Sequence, residues 1–232
     1  MRSLQLLWHD FIDLIFPQAC LACGGVLVES ERLICTGCLI SIPKTNSHQQ
    51  AVPSLSNKFA GKIPIEQVFS YFTFEKSSRV QNLLHHLKYK NQPELGVLLG
   101  KSYGTNLREI GLHGKLDLIV SVPLHKDKQK QRGYNQSDCF AEGLSEALAV
   151  PWSGVALRRV VKTDTQTKKN RTERWQNVGG VFEIGHPNNV AGKRVALVDD
   201  VMTTGATIES AAITLLNAGC REVSVITIAA AM

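Results

Sequence analysis

Apolar residues recur along this chain at two periods, and the alternation between them predicts a mixed α/β fold. Positions 195–198 form an unbroken apolar run, the kind a parallel strand shows when helices cover both faces of its sheet. Positions 117–123 make a second buried-strand candidate, and 68–74, rich in aromatic and β-preferring residues, a third. Shorter strand-like stretches lie at 155–161 and 180–184. Helical spacing runs through Leu4, Leu7, Phe11, Leu14 and Ile15, and again through Ile208, Ala211, Ala212 and Leu215. Residues 79–89 and 94–110 read as two helices broken at Pro93, and a further helix is expected from about 135 to 148. Strands and helices in this order imply an open, mostly parallel sheet with helices on both faces.

The strand at 195–198 leads into chemistry. Asp199 and Asp200 place two carboxylates at its carboxyl end, where open α/β sheets bind ligands. Val201 and Met202 follow, and then Thr203-Thr204-Gly205-Ala206-Thr207 opens a helix. Such a turn offers backbone N–H groups, hydroxyl donors and the positive end of a helix dipole, which together suit a phosphate. A second glycine-bearing stretch, Gly96 to Ser102, imitates a nucleotide-binding loop, but one residue is missing from the spacing and no strand precedes it. An NTPase reading is rejected for that reason.

Cys20-Leu-Ala-Cys23 and Cys35-Thr-Gly-Cys38 offer two thiolates each to one tetrahedral ion, and a hairpin-like stretch over 26–34 is expected to bring the pairs together. Zinc is the natural occupant. Four thiolates close the coordination sphere, so the metal is expected to be structural. A redox pair or disulfides are the other readings, but nothing resembles a thioredoxin unit and no secretory signature is present. Cys139 and Cys220 have no partner at ligand spacing and read as buried small hydrophobes.

Composition limits the organisation. A chain of 232 residues with 44% hydrophobic content can bury one good core and carry a small appendage. The net charge of +6 is localised: residues 125–132 hold four Lys/Arg against one acid, residues 158–174 hold seven against two, and the rest carries 15 basic and 17 acidic residues. Two basic segments in an otherwise balanced chain imply a localised anionic ligand. The 4–16 helix is too short and too charged to span a bilayer and lacks a signal-peptide cleavage pattern, so an amphipathic docking helix in a cytoplasmic protein is expected. Residues 43–64 are polar and rich in Pro, Ser and Asn. The expected division is a helix and zinc module at 1–42, a linker or mobile loop at 43–66, and the main domain at 67–232.

Four apolar residues, two acids, two more apolar residues and Thr-Thr-Gly-x-Thr resemble the phosphoribosyl pyrophosphate (PRPP) signature of type I phosphoribosyltransferases. That resemblance implies PRPP or ribose 5-phosphate as ligand, with Mg²⁺ accompanying PRPP. It gives Asp199 and Asp200 the catalytic position at the ribose hydroxyls, and residues Val201 through Thr207 the 5-phosphate. The strand ending at Pro123 and the basic loop after it match the family's pyrophosphate site, which carries the expectation to Pro123, Leu124, Lys126, Arg132 and Gln136. The basic 158–177 stretch matches a loop that closes over the site, with Gln166, Arg174 and Asn177 as its contacts.

Together with Arg132-Gly-Tyr-Asn-Gln136 and the four cysteines, these features resemble the ComF/GntX family over nearly the full length. The family association implies a role in natural competence, in the uptake and processing of transforming DNA, with single-stranded DNA and competence proteins as partners. The alternative is nucleotide salvage with an unidentified acceptor base. If the protein turns over, the implied reaction is pentosyl transfer from PRPP. Thr203 stands where 6-oxopurine salvage enzymes carry an aspartate, so hypoxanthine or guanine salvage is disfavoured.

Overall fold

A computed structural model describes residues 18–160, 180–185 and 190–232. The helix expected over 4–16 and the loop residues Gln166, Arg174 and Asn177 lie outside them. The centre is a parallel sheet of β1 (Val68–Thr73), β2 (Leu118–Ser121), β3 (Trp152–Ser153), β6 (Arg194–Met202) and β7 (Glu222–Ala230), in the order β1-β7-β6-β2-β3. A separate antiparallel pair is formed by β4 (Leu157–Arg159) and β5 (Phe182–Ile184). The helices are α1 (Thr36–Ser41), α2 (Pro53–Ser56), α3 (Arg79–Tyr89), α4 (Pro93–Glu109), α5 (Lys126–Arg132), α6 (Gln136–Leu148) and α7 (Ala206–Asn217). Among the described residues no helix is long and apolar enough to cross a membrane.

The apolar run in β6 is buried on both faces because successive side chains point to opposite sides of a strand. Val195 and Leu197 join the cluster under α7, with Ile208, Ala211 and Leu215, whereas Ala196 and Val198 join the cluster under α4 and α6, with Leu99, Phe140 and Leu144. From β2 the chain crosses outward to β3, and from β6 it crosses the other way to β7. The two directions part between β2 and β6, and the carboxyl ends of such a pair are where this topology ordinarily binds ligands. At the opposite ends, Asp117 pins the start of β6: it accepts from Arg194 Nη2 at 2.7 Å, Arg194 Nε at 3.0 Å and the Arg194 backbone N–H at 2.8 Å. These hydrogen bonds hold its carboxyl well below the usual carboxylate range.

The rejected nucleotide loop has a different purpose. Gly100 lies in α4, and a Cβ there would collide with Phe140 O of α6, while a Cβ on Gly143 would collide with Val97 O. The glycines let the two helices approach backbone to backbone.

Several expectations are corrected. Segment 43–66 is packed rather than free: Thr45 and Ser47 are buried and hydrogen-bonded to Ser70 of β1, and Leu55 and Phe59 enter the core under α7. Its polar composition conceals hydroxyls that pair with a strand backbone. The basic stretch after β2 is not a loop throughout, because Lys126–Arg132 is helical and ends at Gly133 in the left-handed region. The stretch expected as a hairpin makes only the isolated bridges Ala19↔Val26 and Arg32↔Ile34. Strand β7 was not foreseen. Cys139 and Cys220 are buried, as their spacing implied.

Candidate ligand site and metal cluster

β6 runs on past its apolar half to Met202, so Asp199 and Asp200 lie within the strand's last turn of pairing, with Asp199 opposite Thr227 of β7. Both acids are half-buried. Asp199 Oδ1 accepts from Ser137 Oγ at 3.0 Å and from the Asp200 N–H at 2.8 Å. Burial and the adjacent Asp200 charge push its carboxyl up to about 7. Asp200 Oδ2 instead meets Lys88 Nζ of α3 at 2.9 Å. Neither Lys88 nor Ser137 lies in a motif, so sequence reasoning misses both.

Beyond Met202, Thr203 and Thr204 are exposed and Gly205 caps α7 with φ +83°. Thr204 Oγ1 accepts from the Ala206 N–H at 3.4 Å, and Glu209 N donates to Gly205 O at 2.8 Å. No side chain caps α7 from the Gly205 position. Thr207 and Ile208 therefore present first-turn amides at the positive end of a twelve-residue helix. Thr203, Thr204, Ala206 and Thr207 are all exposed around these amides, and Gly205 is buried beneath them.

Of the pyrophosphate candidates, Gln136 opens α6 next to Ser137, whose hydroxyl bonds Asp199, and Arg132 bonds Gln136. Asn135 caps that helix by accepting from the Ser137 N–H, and its Nδ2 donates to Val122 O at 3.1 Å and Asp138 Oδ1 at 2.7 Å. Asp138 also accepts from Ser121 Oγ at 2.5 Å, and burial raises its carboxyl above the usual range. One cap thus ties the end of β2 to α6, and Ser137 ties α6 to β6. Gln136 Oε1 accepts from Arg132 Nη1 at 2.6 Å, while Gln136 Nε2 is buried without a hydrogen-bond partner among the described residues. A buried unpaired amide donor is costly unless a further group satisfies it. Arg132 also lies over the Tyr89 ring, 5.2 Å from its centroid. Pro123 and Leu124 are half-buried at the exit of β2, and Lys126 is exposed. A separate concavity, lined in part by Glu66, Lys115, Arg194 and Arg221, sits at the amino ends of the strands and has none of this chemistry.

The four predicted thiols meet. Sγ atoms of Cys20, Cys23, Cys35 and Cys38 all lie within 4.8 Å of one another, so the cluster can hold a metal ion. Backbone N–H groups of Gly25, Cys35 and Cys38 point at the sulfurs of Cys23, Cys20 and Cys35, the donors a set of thiolates requires. Glu31 holds the intervening stretch by accepting from Thr36 N at 2.7 Å and Val28 N at 3.1 Å. Leu21, Leu27 and Leu39 pack the cluster onto the main core.

Residues 136–232 match the phosphoribosyl transferase domain. DNA utilization protein YhgH of Escherichia coli (strain K12) is 29% identical over 213 residues, covering 89% of this chain and 87% of that protein. Competence protein F of Haemophilus influenzae is 33% identical over 147 residues, 62% of this chain and 64% of that protein. Among solved structures, the allosteric regulatory enzyme of purine biosynthesis is similar with a TM-score of 0.44 and 22% identity, over 62% of this chain and 29% of that one. Residues matching a phosphoribosyl transferase domain, similarity to proteins named for competence and DNA utilization, and a four-cysteine cluster ahead of the matched domain thus occur together in this chain.

Proposed function

We propose that the crevice between the carboxyl ends of β2 and β6 binds PRPP or ribose 5-phosphate, with Mg²⁺ accompanying PRPP. The observation that carries the reading is the continuous path from two half-buried carboxylates in β6 through an exposed Thr-Thr-Gly turn into the amino terminus of α7. In this reading Asp199 and Asp200 orient the ribose hydroxyls, residues 203–207 hold the 5-phosphate, and Arg132 with the Gln136 amide receives the pyrophosphate. Mg²⁺ would supply charge neutralisation at the pyrophosphate oxygens. Zinc is the metal proposed for the cysteine cluster, since four thiolates at tetrahedral spacing suit it.

The biological role proposed is handling of transforming DNA in the cytoplasm, supported by relatives named for competence and DNA utilization and by the basic α5 next to the site. Single-stranded DNA and other competence proteins are the partners that follow. The segments 1–42, 43–66 and 67–232 remain the proposed divisions of the sequence. Calorimetry with PRPP and with ribose 5-phosphate, each with and without Mg²⁺, tests the ligand. Asp200→Ala should weaken binding by about 1–3 kcal/mol through lost charge-assisted hydrogen bonds. Unchanged affinity in both Asp199→Ala and Asp200→Ala would place the ligand elsewhere.

A further inference from the structure

Two adjacent carboxylates at a strand end would ordinarily be a ready site for a divalent cation. Here the second of them is already engaged by an ammonium. Lys88 Nζ stands 2.9 Å from Asp200 Oδ2, with three-quarters of the lysine side chain and more of the aspartate's withdrawn from solvent. Its position is not a flexible accident. Lys88 lies in the last turn of α3, between Leu87, which is fully buried, and Tyr89, and Tyr134 OH donates to Leu87 O, tying this turn to the segment that leads into α6. The partner acid Asp199 is held separately by Ser137 and the Asp200 N–H.

We infer that Lys88 is a positioning residue that keeps a bare divalent cation out of the acid pair and releases Asp200 only to an anionic ligand. The inference deepens the PRPP reading and rests on it for the identity of that ligand. A bare cation must break the ion pair and leave the ammonium without a counter-charge in a half-buried place. A sugar phosphate brings its own oxygens, so the ammonium exchanges one anion for another while Asp200 becomes free for hydroxyls or metal. The start of α6 adds a donor to the same helix turn that holds Asp199: Gln136, whose buried Nε2 has no hydrogen-bond partner among the described residues, precedes Ser137, whose hydroxyl bonds Asp199. Metal and anion should therefore enter together.

Mn²⁺ titrated alone, followed by electron paramagnetic resonance, separates this from a passive salt bridge. Lys88→Gln should bind Mn²⁺ at least about tenfold more tightly than wild type, and Lys88→Arg, which keeps the charge, should match wild type. Adding Asp200→Asn to Lys88→Gln should remove the gain. In calorimetry Lys88→Gln should bind Mg²⁺-PRPP about tenfold more weakly. Equal Mn²⁺ affinity in folded wild type and Lys88→Gln, verified by circular dichroism, overturns the inference, as does a Mn²⁺ gain with unchanged Mg²⁺-PRPP affinity. Failure of wild type to bind PRPP at all, with a Mn²⁺ gain in Lys88→Gln, would overturn the ligand reading while supporting the exclusion of bare cation.

Discussion

Phe59 lies directly beneath Gly205: a Cβ built on the glycine would come within 3.1 Å of Phe59 Cε1 and 3.2 Å of Cζ. Gly205 also has φ +83°, so a side chain there meets both an aromatic ring and a disfavoured backbone conformation. Gly205→Ala should therefore lower stability by about 1–2 kcal/mol and displace the turn before α7. Phe59→Ala should cost about 3–5 kcal/mol, since the ring is buried in the core. Urea denaturation measures both, and a fully stable Gly205→Ala would refute the packing of Phe59 under the turn.

Asp199 makes the fold sensitive to pH. An aspartate in an unfolded chain ionises near pH 3.9, whereas burial and the neighbouring Asp200 raise the folded carboxyl to about 7. Between those values the folded state binds more protons, so this contribution to stability is complete below about pH 4 and is lost as pH rises through about 7. Asp199→Asn stays neutral throughout. Its Tm should fall less than that of wild type between about pH 5 and pH 8. Parallel Tm curves for the two proteins would show that Asp199 does not titrate in this window.

Removal of the metal should be felt beyond the cysteines. Cys20, Ala22, Ile34, Cys38 and Ile42 share one hydrophobic cluster with Phe72, Leu83 and Leu99 of the main sheet and its helices. Cys35→Ser, or a chelator, should release the metal proposed for the cluster and lower the Tm of the whole protein in a single broadened transition. A module that unfolds while the core survives would instead give two resolved transitions in calorimetry.

DNA binding, if it uses α5, must depend on salt. Lys126, Lys128 and Lys130 are exposed along that helix. Replacing all three with Gln should reduce the slope of log affinity for single-stranded DNA against log salt by about two to three units. PRPP, held by directed hydrogen bonds, should show a much smaller change. A DNA slope untouched by the triple replacement would place the nucleic-acid surface off α5.

The parts legible in the residues were those governed by local rules. The apolar run at 195–198, the acids after it and the Thr-Thr-Gly turn are contiguous, so spacing alone brought them together, and two Cys-x-x-Cys turns constrain four sulfurs almost without regard to what lies between. Lys88 and Ser137 were illegible because they reach the acids across 112 and 62 positions of sequence. Phe59 was hidden by composition: a polar, proline-bearing stretch conceals single buried residues when its hydroxyls pair with a strand edge, as Thr45 and Ser47 do with Ser70. The helical turn of α5 was missed because seven charged and amide residues show no apolar period, and it buries none of them.

Helix α3 touches both ends of the molecule's chemistry. Asn82 Nδ2 donates to Ala22 O, one residue before Cys23, at 2.9 Å, and six residues later Lys88 holds Asp200. At 1.5 Å per residue the two contacts are about 9 Å apart on a single rigid rod. The cysteine cluster is thus a bearing on which that rod is seated, and the placement of the ammonium opposite Asp200 depends on a cluster that holds the same helix six residues away.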